Sequence, residues 1–208
     1  DMQLARNLAQ SHEALQSLAG RQARTVTLAT GRTLARTVVA DWLVRQNLDA
    51  AIISALDSVA WLFNIRGTDV ERTPVALSFA VLNADGTADL YVDPAKVDDA
   101  VTKHLGNAVR IHDRTAFAPA LAAMAGKRVA VDPERAVSAI FGRLAKGGAT
   151  IVETRDPTVL PRAIKNPVEQ AGHRAAQKRD GAALTRFLHW LATECPKGGQ
   201  TELSAAAK

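Results

Sequence analysis

Histidine, cysteine and clustered acids are the usual carriers of metal and nucleophilic chemistry, and in this chain they are dispersed. His12-Glu13 opens an H-E-x-x pattern, but the fifth position is Gln16, so the two-histidine zinc face is missing. His12, His104, His112, His173 and His189 lie far apart, and none has metal-ligand spacing. Cys195 is the single cysteine, with no base partner in sequence; it fits a reducing compartment and excludes a thiolate zinc cage. No G-x-S-x-G, P-loop or G-x-G-x-x-G is present. No residue is therefore assigned as catalytic or as a metal ligand. What remains is the stretch "ALDSVAWLFNIRGTDVERTPVALSFAVL", Ala55 to Leu82. Aromatics make up only 4% of the chain, yet Trp61 and Phe63 stand directly before a loop of Asn64, Arg66, Gly67, Thr68 and Asp69. On one reading the loop is a connection: Trp61, Leu62 and Phe63 bury against a sheet, Gly67 turns the chain, and Arg66 and Asp69 are solvated. On the other, a guanidinium beside glycine above an apolar floor contacts a carboxylate or a peptide backbone. Loops at the ends of strands and helices in α/β sheets often carry ligands.

The elements that must position this loop follow from hydrophobic periodicity. Asp1–Ala19 reads as a helix, and a short strand is expected at Val26–Ala29. Ala35, Val38, Val39, Trp42 and Leu43 form a helical stripe from Thr33 to Arg45, with Asn47 suited to the left-handed position beyond it. Asp49–Ser54 is a short buried strand, and Ser58–Asn64 a short helix. Pro74–Leu82 and Thr87–Val92 are strands joined at Asn83–Gly86, whose Asn, Asp and Gly suit a hairpin turn with positive φ. Asp93-Pro94 is expected to open a helix to Leu105. Strand Ala108–Ile111, helix Ala116–Met124, strand Lys127–Val131, helix Glu134–Ala145 and strand Thr150–Glu153 complete the series. Alternating strands and helices imply an α/β fold, and the one hairpin makes a mostly parallel sheet mixed.

Beyond Asp156 the texture changes. Pro157, Pro161 and Pro167 punctuate a connector. Asn166 as N-cap, Pro167 at the first helical position and Glu169 at the third then predict a long helix ending near Glu194. Its residues Leu184, Phe187, Leu188 and Leu191 fall on one stripe that must be covered. Thr201 is expected to cap a further helix, with Glu202 in its first turn. The expected organisation is an N-terminal helix and linker over 1–32, an α/β domain over 33–156, and a linker with the first helices of a truncated second domain over 157–208.

Composition bounds the function. The chain has 208 residues, 47% hydrophobic and 23% charged, an ordinary globular balance. No apolar run approaches the ~20 residues of a membrane span. The net charge is +5, from 26 Lys and Arg against 21 Asp and Glu. Those cations are scattered rather than gathered on a stripe with interleaved aromatics, which argues against a nucleic-acid partner.

Two tracts carry a resemblance. "LDSVAWLFNIRGTDVERTPVALSFAVL" (Leu56–Leu82) resembles the middle domain of cytosolic-type aminopeptidase P, the Xaa-Pro aminopeptidases of the creatinase/prolidase superfamily. "IKNPVEQAGHRAAQKRDGAALTRFLHWLATECPKGGQTELSAAAK" (Ile164–Lys208) resembles the first helix of their catalytic "pita-bread" domain. The resemblance runs from Thr33 to Lys208 and implies a creatinase N-terminal-domain-like fold. It implies a parent enzyme that removes the N-terminal residue from short peptides with proline in second position. Two divalent metals, manganese by family habit, would be held by two Asp, one His and two Glu, all beyond Lys208, so that this segment alone would be inactive. It further implies a cytoplasmic, homodimeric parent, and a substrate-cleft wall made by Asn64, Arg66, Gly67, Thr68 and Asp69. The alternative is a stand-alone, non-enzymatic α/β module for interaction or dimerisation.

Overall fold

The computed structural model describes residues 24–25 and 32–208, with side chains from residue 35 onward. The helix expected over Asp1–Ala19 and the strand expected over Val26–Ala29 lie outside the described residues. The order is strand β1 (Arg24–Thr25), helix α1 (Arg32–Arg45), β2 (Ala50–Ile53), α2 (Leu56–Phe63), β3 (Ile65–Arg66), β4 (Ser78–Asn83) and β5 (Ala88–Val92). Then come α3 (Asp99–Leu105), β6 (Val109–His112), α4 (Phe117–Ala122), β7 (Arg128–Val131), α5 (Ser138–Lys146) and β8 (Thr150–Glu153). Helices α6 (Val159–Ala163), α7 (Pro167–Glu194) and α8 (Glu202–Ala206) follow. The chain divides into two compact units, one ending at Arg162 and the other running from Ala163 to Lys208.

In the first unit six strands form one sheet in the order β6-β5-β4-β2-β7-β8. β4 pairs antiparallel with β2 and β5, while β5–β6, β2–β7 and β7–β8 are parallel. β4 thus runs against the other five, and the sheet is mixed but mostly parallel. The β4–β5 hairpin turns at Gly86, which has φ 82°. β2 is buried at every position, and its alternation feeds two cores. Ala51 and Ile53 face Val39, Leu43, Leu62, Phe63, Val101 and Leu105 from α1, α2 and α3. Ala50 and Ile52 face Phe117, Leu121, Ile140 and Leu144 from α4 and α5. Helices on both faces explain why the short central strand "AAII" carries no polar side.

Two helix starts differ from the sequence expectation, for the same reason. Asp93 caps only a single 3-10 turn, Pro94–Lys96, after which Val97 is extended. Asp98 then accepts from Val101 N at 2.8 Å and starts α3 afresh. Likewise Glu134–Ala136 is a turn rather than helix: Asp132 Oδ1 accepts from Glu134 N at 2.9 Å, Val137 is extended, and α5 begins at Ser138. In both places a short carboxylate side chain takes a backbone N–H and competes with helix propagation. Asn47 takes the left-handed conformation, φ 53°, at the end of α1.

In the second unit α7 carries a complete capping box: Glu169 N donates to Asn166 Oδ1, and Asn166 N donates to Glu169 Oε2, both at 2.9 Å. α7 buries none of its residues; Leu184 and Leu188 are 57% and 54% exposed. Gly198 and Gly199, at φ 81° and 79°, turn the chain before Thr201 caps α8. Within this unit Trp190 stacks near Phe187 with Lys208 Nζ 5.8 Å from its ring centre. Cys195 is exposed.

Candidate functional site

The loop singled out in the sequence grows from the C-terminus of α2. This helix is short and apolar. Asp57 in its first turn, accepting from Ser58 N at 2.9 Å, complements the positive end of the helix dipole. Burial alone would raise the Asp57 carboxyl, but hydrogen bonding and charge from Arg162, the Ser58 amide and Arg135 outweigh it and hold its pKa below the ordinary value. At the other end Asn64, buried, adopts the left-handed conformation (φ 50°, ψ 41°), and its N–H returns to Ala60 and Trp61 carbonyls. Asparagine tolerates this region better than most residues. Arg66 Nη1 donates to Ala60 O at 3.1 Å and Ile65 O at 2.9 Å, placing its cation on the negative end of α2.

From β3 the chain rises into a tongue, residues 67–77, closed by a bridge between Val70 and Thr73. Gly67 packs so closely that an added Cβ would lie 2.6 Å from Ala76 N and 2.7 Å from Val75 C. Asp69 Oδ2 accepts from Leu77 N and from Lys96 Nζ, both at 2.7 Å. The Lys96 and Asp69 side chains are 10% and 4% exposed, the most enclosed ion pair among the described residues. Thr68 Oγ1 is buried and makes no hydrogen bond among the described residues. Glu71 and Arg72 stand at the tip with side chains 82% and 89% exposed, and Arg72 has φ 61°.

The structure therefore brings Arg66, Gly67 and Asp69 together as the root of a projecting tongue. Of the two readings of the loop, the one in which Arg66 and Asp69 are merely solvated does not hold: one caps a helix, the other anchors a buried cation. Trp61 is half-buried against the core and Phe63 fully buried, as the sequence indicates. Lys96 escapes sequence reasoning, because nothing in "DPAKV" marks a lysine that pairs with an aspartate 27 positions earlier. So does a second network on the sheet. Asp89 accepts from Arg110 Nε at 2.7 Å and Nη2 at 2.8 Å, and contacts His112 Nε2 at 2.7 Å. Burial pushes the Asp89 carboxyl up, but the bonds from Arg110 and His112 outweigh it and the net shift is downward. Asp89 sits opposite Arg110 only because β5 and β6 pair in parallel register. A shallow cleft of 510 Å³ lies beyond the C-terminal ends of β7 and β8, lined by Asp132, Pro133, Glu134, Glu153, Thr154 and Arg155. Asp132 is already spent there, holding Glu134 N and Asp156 N.

Among the described residues no three His, Cys, Asp or Glu gather to hold a metal, so a two-metal centre does not fit on them. No helix among them is long and apolar enough to cross a membrane.

Residues 29–169 match the family model described as the Creatinase/Prolidase N-terminal domain. The chain belongs to this family. Creatinase/prolidase relatives of known name sharpen the placement. A protein of Paracoccidioides brasiliensis named "Probable Xaa-Pro aminopeptidase P" is 43% identical over 155 residues, 69% of this chain and 25% of its own length. One of the same name from Aspergillus clavatus is 40% identical over 167 residues, 76% of this chain and 25% of its own length. The chain thus spans about a quarter of the length of these curated relatives. Among solved structures, the X-prolyl aminopeptidase of Caenorhabditis elegans superposes with a TM-score of 0.77 at 27% identity. It covers 91% of this chain and 32% of the other, and is described as a cytosolic enzyme with a di-nuclear active site. The prolidase of Pyrococcus horikoshii, at 14% identity and a TM-score of 0.56, shares the creatinase/prolidase fold.

Proposed function

We propose that this chain is the α/β portion, with the first helices of the catalytic portion, of a metal-dependent Xaa-Pro aminopeptidase. The parent would remove the N-terminal residue from short peptides whose second residue is proline. The observation that carries this reading is the 43% identity to a protein named for Xaa-Pro aminopeptidase activity. The structural superposition on an X-prolyl aminopeptidase over 91% of the chain supports it. The metals, manganese by family habit, would be bound by polypeptide outside these 208 residues. The chain's own part is to bind and shape: the tongue rooted at Asn64, Arg66, Gly67, Thr68 and Asp69 forms one wall of the substrate cleft. Proline fixes φ and removes an N–H, so a cleft that accepts it needs tailored walls rather than a strand-pairing partner. The segment alone is inactive, and the parent is a cytoplasmic homodimer. Assay of the full-length protein on X-Pro dipeptides and tripeptides, with and without manganese, tests this. Metal-dependent release of the first residue is expected, and its absence would sink the reading.

A second reading is a non-enzymatic module that self-associates. The exposed leucines of α7, Leu184 and Leu188, favour it, because a second copy could cover them. A dimer of the 208-residue chain that Leu188→Glu dissociates would support that reading.

A further inference from the structure

We propose that the crevice between the carboxyl ends of β2 and β7 is an internal docking site whose ligand is the chain's own connector, residues 156–162, and that this latch opens as a unit while the sheet stays folded. The proposal goes beyond the aminopeptidase reading and does not rest on it.

The crevice is a topological switch point. β2 and β7 are parallel neighbours, but the helices that follow them lie on opposite faces: α2 packs with Ala51 and Ile53, α5 with Ala50 and Ile52. In open α/β sheets the gap opened by such a divergence is where ligands bind. Here it is filled from within. Leaving β8, the chain turns back across the end of β7 towards that of β2. Asp156 N donates to Asp132 Oδ2, just past β7, at 2.8 Å. Asp156 Oδ1 accepts from Thr158 N at 2.8 Å and from Thr158 Oγ1 at 2.7 Å. Arg162 then pairs with Asp57 in the first turn of α2. Between these anchor points Arg135 lies 3.7 Å from both Asp57 and Asp132, and Ser54 Oγ donates to the Arg135 carbonyl at 3.1 Å. Asp132, Arg135, Asp57 and Arg162 thus form one row of alternating charge.

The connector carries the marks of a bound segment. Connecting segments usually run over the surface, yet Asp156 is 5% exposed and Thr158 is fully enclosed. α6 has five residues, too few to be helical alone, and it buries none of them. Its shape therefore comes from tethers at its two ends rather than from propensity or apolar packing. Pro157 and Pro161 limit the freedom that a released connector regains. The tethers are few and polar, so releasing them costs less than uncovering the apolar β2, and the latch opens first.

Hydrogen exchange of the full-length protein, read by mass spectrometry on overlapping peptides, tests this. The amides of residues 156–162 should be protected, yet exchange faster than those of Ala51 to Ile53. Asp57→Asn should speed exchange across the connector about fivefold, the upper range for a partly exposed ion pair, and leave Ala51 to Ile53 unchanged. Arg162→Gln should do the same, and the double variant no more than either single one, because both remove one contact. Opening as a unit predicts that Asp57→Asn also speeds exchange at the far end, at Asp156 and Thr158. Additive effects of the two substitutions, or acceleration confined to the Arg162 end, would overturn the latch. So would connector amides that exchange like a free peptide, or that are as slow as β2 and indifferent to Asp57→Asn. Equal acceleration at Ala51 to Ile53 would mean loss of the fold rather than release of the connector, and would overturn it too. None of these outcomes bears on the aminopeptidase reading, which the peptide assay decides separately.

Discussion

Gly67 is a residue whose identity is dictated by its neighbours rather than by its torsion angles. A methyl group there would meet backbone atoms of Val75 and Ala76, which cannot rotate away as a side chain could. Gly67→Ala should therefore destabilise the chain by about 2 kcal/mol, read as a lower urea midpoint with unchanged slope. Asp89 illustrates a charge that matters through pH. Its folded-state pKa lies below the ordinary 3.8, because Arg110 and His112 outweigh burial. Its contribution is thus complete above that ordinary value and lost as pH falls through the depressed one. Asp89→Asn should cost about 1 kcal/mol at pH 7, discounted because Arg110 is largely exposed. The gap between variant and wild type should close on acidification below about pH 4 in urea titrations. Some residues were readable in advance and some were not. Asn47 and Gly86 announced left-handed turns by their own chemistry. Lys96 and Asp89 did not, because their partners are set by tertiary pairing.

At the scale of elements, local signals and their competitors decide what the sequence reveals. The capping box of α7 is a three-residue pattern, Asn166 to Glu169, and it forms as written. Asn166→Ala should weaken the first turn by about 1 kcal/mol, seen as faster amide exchange at Val168 to Gln170 with the centre of α7 unaffected. α3 and α5 start later than periodicity suggests, because Asp93 and Asp132 redirect the chain with side-chain hydrogen bonds that hydrophobic spacing does not encode. Periodicity also found Leu184, Phe187, Leu188 and Leu191 as a stripe, but it says only that the stripe is apolar, not what meets it.

For the whole molecule the α/β order was legible from alternating strands and helices, whereas the strand order was not. Nothing local dictates that β2 sits between β4 and β7. Stability should be distributed accordingly. β2, β4 and β7 are enclosed between two helical layers, while α7 buries no residue. Native-state hydrogen exchange should show the amides of Ala51 to Ile53 and Ala80 to Leu82 among the slowest, and those of Ala175 to Leu184 far faster. Uniform protection across both sets would contradict this distribution.

The placement of β2 also bears on how the polypeptide is made. One flank of this apolar ribbon finds its neighbour soon, since Ser78–Asn83 follows closely in the chain. The opposite flank stays open until Arg128–Val131 has left the ribosome, a delay of seconds at about 5–20 residues per second. During that interval the nascent protein presents an uncovered ladder of amides and carbonyls, a template on which another chain can pair.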